Sequence, residues 1–222
     1  MPPGKRSQSN TRDINSACVS RIRPLIAAAA LSLVAGALTR AQAPARPDRF
    51  VGGPDALALM QTLNAELLRS RSATQTLEQW CGDHRIAAEP TIVAKLIRRV
   101  EKAPTAEQRQ RLQIAGADVK YRRVRLECGS HVLSEADNWY VPSRLTAEMN
   151  RMLETTGTPF GTVVRPLEPT RQTLTVTMLW TGGLPVPDAL FAHRALLFTR
   201  EHVPFSEVYE VYQRGILEFT PP

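Results

Sequence analysis

The chain has 222 residues, 43% of them hydrophobic, 22% charged and 6% aromatic. That balance excludes a disordered, collagen-like or mini-protein chain and suffices for one domain with its own core. The formal net charge of +7 would point to nucleic acid or an anionic membrane, but residues 1–43 hold six basic residues against one acid, leaving 22 basic and 20 acidic residues in the rest.

In that leading segment Arg21 and Arg23 precede an apolar run over residues 24–38 (PLIAAAALSLVAGAL), and Ala41-Gln42-Ala43 follow as a small-residue cleavage site. This order predicts a secretory signal peptide over residues 1–43 and a periplasmic or secreted mature chain. The run falls short of the roughly 20 apolar residues that span a bilayer, so no stable membrane span is expected after cleavage; left uncleaved, it would act as an anchor. Cys18 leaves with the leader. Cys81 and Cys128 remain as an even pair, either a disulfide in an oxidising compartment or two separate buried thiols.

Residues 44–53 read as a linker and residues 54–222 as a single domain. Over residues 54–69, Leu57, Met60, Leu63, Leu67 and Leu68 form one stripe of period near 3.6, an amphipathic helix. A shorter helix starts at Ser72, an N-cap with Gln75 three residues on in a capping-box arrangement, and presents Leu77, Trp80 and Cys81 to the core. The run TIVAKLIRRV from Thr91 is helix or strand by periodicity, and residues 104–116 read as a polar connection. Strands are predicted over residues 121–128, 131–133, 138–141, 161–165, 172–180, 189–199 and 205–212, separated by Gly and Pro turns. One helix interrupts them at residues 145–155, capped by Ser143 or Thr146, with Met149, Met152 and Leu153 inward. The expected fold is α+β, a mainly antiparallel sheet with helices covering one face.

The motifs of serine hydrolases, P-loop and dinucleotide-binding proteins, HExxH metalloproteases and EF-hands are missing. Two cysteines and four scattered histidines offer no zinc spacing, so no metal is expected. His84, His131, His193 and His202 are isolated and read as surface or structural residues, and Gly182-Gly183 reads as a turn. What remains is charge inside strand patterns. In YRRVRLEC, alternation puts Arg122 on the apolar face with Val124 and Leu126. There it either needs an anionic partner or lies at a frayed strand end and reaches water. In VPFSEVYEVY, Glu207 and Glu210 are three residues apart and point to opposite faces, so at most one faces a pocket. An arginine for a carboxylate plus a glutamic acid for proton delivery suits a small organic acid.

The helix SATQTLEQW, the strand Arg122-x-Val124-x-Leu126, a strand ending in Val141-Pro142, the turn TGTPFG and a last strand with EVY resemble, in this order, the chorismate lyase (4-hydroxybenzoate synthase) family over residues 70–215. The resemblance implies a chorismate lyase-like fold, elimination of pyruvate from chorismate to 4-hydroxybenzoate, and no cofactor. It implies substrate binding by Arg122, by the backbone at Phe160 and at the Ala73 position, and a catalytic Glu210, with Glu207 and Arg123 as the alternatives. Export and the altered residues at Ala73 and Phe160 favour, as the second reading, a non-catalytic periplasmic protein that binds a small aromatic carboxylate. The expected partner is a small anion such as chorismate or 4-hydroxybenzoate, and the chain is expected to be a monomer. No nucleic-acid partner is expected, because the nearly neutral mature chain lacks aromatic–basic interleaving.

Overall fold

The computed structural model describes residues 49–50, 53–116 and 118–219. The expected leader over residues 1–43 and most of the expected linker lie outside them.

Apolar and polar residues alternate in the second half of the chain, and the strands built on them form one six-stranded antiparallel sheet. Its members are β2 (Ile92–Leu96), β3 (Lys120–Cys128), β4 (His131–Tyr140), β5 (Thr170–Met178), β6 (Ala189–Phe198) and β7 (Pro204–Gln213), in the order β2-β3-β4-β7-β6-β5. A separate two-residue ladder joins β1 (Arg49–Phe50) to β8 (Glu218–Phe219). This is the α+β class expected. The ambiguous run after Thr91 is a strand, and the two short strands expected around residues 131–141 are one continuous β4.

Of the helices, α1 (Gly53–Arg69), α2 (Ala73–Asp83), α4 (Ala147–Thr155) and α5 (Phe160–Val163) lie over one sheet face. The α1 stripe buries Met60, Leu63 and Leu67, while α2 buries Leu77, Trp80 and Cys81, against Val124, Leu126 and Tyr212 of the sheet. Each such side chain contributes roughly 1.5–3 kcal/mol when fully buried. Ser72 caps α2, its hydroxyl accepting from the Gln75 N–H at 3.3 Å, and Thr146 caps α4 through the Met149 N–H at 3.1 Å.

Two stretches differ from expectation. Residues 104–116 contain α3 (Ala106–Arg111), opened by a reciprocal capping box between Thr105 and Gln108, and it lies on the opposite sheet face. Its face is polar, so no apolar stripe announced it. Residues 161–165 are not a strand: Pro159 caps α5, and a short 3-10 turn follows at Arg165–Leu167. Phe160 packs over Tyr140 and Phe205, which turns helical a run of β-branched residues that pattern alone reads as extended.

Cys81 of α2 and Cys128 at the end of β3 are fully buried and their sulfurs meet, with Cα atoms 6.4 Å apart, inside the range for a disulfide. The pair would fasten α2 to β3 across 47 residues. Reductant is expected to lower the unfolding free energy by about 2–4 kcal/mol in urea denaturation and to leave Cys81→Ala/Cys128→Ala unchanged; equal stability with and without reductant would show two free thiols.

Candidate functional site

Between the sheet and the N-terminal ends of α2 and α5 lies a cavity of about 50 Å³, room for a few water molecules at roughly 10–15 Å³ each. Its wall includes Ala73 and Thr74 of α2, Arg122 of β3, Asn138 of β4, Phe160 and Gly161 of α5, Arg171 of β5 and Glu210 of β7, with Arg71 at the mouth. The four residues singled out in the sequence, Ala73, Arg122, Phe160 and Glu210, therefore converge. The cross-strand register explains the grouping: Arg122 stands opposite Asn138, which stands opposite Val208, two residues from Glu210 along the same face. At the roof the helices touch so closely that a Cβ on Gly161 would lie 2.7 Å from Thr74 Oγ1.

Arg122 is 6% exposed among Val124, Leu126 and Ala136. The protein gives its guanidinium one acceptor, the Thr158 carbonyl oxygen at 3.2 Å from Nη2, and Nε has none. Loss of water pushes its pKa down to about 10. Ala73 and Thr74, the first residues of α2, border the same space, and the first turn of a helix leaves N–H donors without intrahelical acceptors.

Glu210 faces the cavity with its carboxylate engaged by two protein donors. One of its oxygens accepts from Arg171 Nη2 at 2.6 Å and from the Tyr212 hydroxyl at 3.1 Å, and the Arg171 and Glu210 side chains are 3% and 8% exposed. Behind this pair His193 is fully buried, its Nε2 2.7 Å from Asn64 Oδ1, a structural histidine as expected. Burial pushes its pKa down to about 4, against the raising effect of Glu210.

The alternatives Glu207 and Arg123 lie on the opposite face. Glu207 is fully buried and accepts from Gln108 at 3.1 Å, Arg111 at 2.7 Å and Arg194 at 2.8 Å, anchoring α3 to the sheet. Arg123 pairs with Glu135 at 2.9 Å. Arg171 lies just outside the strand expected over residues 172–180; β5 begins two residues earlier, at Thr170. Among the described residues no group of three or more metal-ligating side chains assembles, and no helix is long and apolar enough to cross a membrane.

No protein-family profile matches the chain. The uncharacterized protein y4mC of Sinorhizobium fredii is 43% identical over 187 residues, covering 76% of this chain and 79% of that one. The chain belongs to the same family as y4mC. Among solved structures, a "possible transcriptional regulator", YydK of Bacillus subtilis, is 17% identical with a TM-score of 0.43, over 69% of this chain and 66% of that one, just under two thirds. PhnF of Mycobacterium smegmatis is 10% identical, TM-score 0.46, over 69% of this chain and 68% of that one. A GntR-family transcriptional regulator of Enterococcus faecalis is 11% identical, TM-score 0.40, over 58% and 99%. YydK and the Enterococcus faecalis protein are named as transcriptional regulators, not as lyases or exported binding proteins, while the α+β fold expected from the resemblance stands. The chorismate lyase activity, the periplasmic aromatic-carboxylate binder, the periplasmic or secreted location and the exclusion of nucleic acid are all withdrawn on this finding.

Two outcomes follow from the geometry. Arg122→Met keeps the bulk and removes a buried cation with one acceptor, so the ligand-free protein is expected to be at least as stable as wild type, by about 1 kcal/mol in urea; a loss above about 2 kcal/mol would give Arg122 a structural role. His193 stays neutral in the fold down to about pH 4, while its unfolded counterpart takes a proton below about 6.5. The stability it confers is present above pH 6.5 and lost as pH falls toward 4, so His193→Gln is expected to flatten the pH dependence of unfolding in that window. An unchanged slope would contradict a buried neutral imidazole.

Proposed function

We propose that the domain is a small-molecule binding module that takes a small organic anion in the cavity under α2 and works by binding it rather than by transforming it. The observation that carries this reading is Arg122, buried against apolar neighbours with a single carbonyl acceptor. A buried guanidinium costs several kcal/mol unless its N–H groups are satisfied, and a ligand carboxylate supplies two acceptor oxygens in matching geometry. The α2 N-terminus adds backbone donors to the same anion, and the disulfide candidate Cys81–Cys128 would hold that helix on the strand that carries Arg122. Phe160 and Ala73 supply the apolar wall, with the Phe160 ring centroid 5.7 Å from that of Tyr140 and 6.2 Å from that of Phe205. Binding without chemistry is favoured by Glu210, whose carboxylate is already engaged by Arg171 and Tyr212. A regulatory role is the one named for the solved structures themselves; for this chain the proposal rests on its own cavity.

Thermal unfolding of the full chain against small carboxylates and phosphate monoesters, with the neutral amides as controls, tests the reading. At least one anion is expected to raise the melting temperature, by the equivalent of about 2.7 kcal/mol at a hundredfold excess over Kd, and Arg122→Met is expected to abolish the shift. No shift with any anion, or a shift that survives in Arg122→Met, would overturn it.

A further inference from the structure

Resting on that reading, we infer that the ligand carries two acid groups, the second of them held by Arg171. The cavity wall holds the guanidiniums of Arg71, Arg122 and Arg171 and one carboxylate, Glu210, which meets Arg171 through a single oxygen. Arg71 is exposed at the mouth, but the Arg171 side chain is 3% exposed, and neutralising a buried cation matters far more than neutralising one in water.

Arg171 stands on the edge strand β5, where a solvent-facing arginine would cost nothing, yet it is folded inward to meet Glu210 on β7, across the intervening β6. Its protein acceptor is one oxygen of Glu210, and its Nε has no partner. Arg122 presents the same deficit from β3, four strand spacings away, roughly 19 Å at about 4.8 Å per strand. Two under-satisfied guanidiniums thus reach one cavity on the same sheet face from strands toward its two edges, a pattern that fits an acid at each end of a short ligand. The competing arrangement has Glu210 accept a hydrogen bond from a hydroxyl or amide at the far end of a monoacid, with Arg171 only its support. The two differ in the sign of the group at that end, which a matched pair of ligands reads directly.

The test compares diacids with their half-amides, identical in shape: succinate with succinamate, glutarate with glutaramate and phthalate with phthalamate, by calorimetric titration of the full chain. At least one diacid is expected to bind at least tenfold more tightly than its half-amide. Because Arg171→Gln strands Glu210 without a partner and its failure to fold would be uninformative, the variant is the charge-free pair Arg171→Gln/Glu210→Gln. It is expected to bring the diacid to half-amide ratio to about one, while Arg122→Met removes binding of both. Half-amides binding as well as the diacids, or a tenfold preference that persists in the double variant, overturns the inference and leaves the single-anion site standing. If neither these acids nor any other anion of the thermal series binds, the site itself falls, and the inference with it.

Discussion

Placing a guanidinium among Val124, Leu126 and Ala136 is unfavourable by several kcal/mol unless its donors are met, and much of this domain is arranged around Arg122 in that condition. Alternation along β3 turns Arg122 inward. The turn before α5 delivers one carbonyl, that of Thr158, and α2 brings the open donors of its first turn to the same place rather than an acceptor. A fold that surrounds a buried cation with more donors is unsuited to closing on itself and suited to closing on an anion.

The two sheet faces treat charge in opposite ways. On the face covered by α3, Glu207 is saturated by Gln108, Arg111 and Arg194, and Arg123 and Arg125 share Glu135. None of the side-chain atoms of that network is buried without a partner. On the cavity face Arg122 and Arg171 each keep an Nε without a partner. The contrast also separates the two glutamates of the last strand. Glu207 belongs to the first kind. Glu210 lines the cavity but is held by Arg171 and Tyr212, with neutral His193 behind them.

The strands were legible because Val124, Leu126, Val208 and Tyr212 alternate with polar residues, and α1, α2 and α4 because their apolar stripes and the caps Ser72 and Thr146 stand in the sequence. Convergence of Ala73, Arg122, Phe160 and Glu210 was expected from resemblance, and the structure brings them to one cavity. Three things were not legible. The helix α3 buries Gln108 rather than an apolar stripe, so its cap at Thr105 was the only local signal. The stretch after Pro159 is β-branched yet helical because packing over Tyr140 and Phe205, not propensity, decides it. Arg171 is invisible in a linear reading, since its burial depends on a partner 39 residues away. Function was the least legible of all, because an arginine and a glutamate in one pocket suit both an enzyme and a binder.

The account therefore turns on whether the Arg122 guanidinium meets an anion inside the protein. Side-chain Nε–H resonances of the ¹⁵N-arginine-labelled full chain report this directly, with the Arg122 signal assigned by its disappearance in Arg122→Met. On titration with whichever acid stabilises the protein against heat, that one buried resonance is expected to shift saturably, together with the backbone amides of Ala73 and Thr74, while exposed Arg98 and Arg200 stay in place. A saturating shift that leaves Arg122 and the α2 N-terminus untouched would place the anion elsewhere and contradict the account.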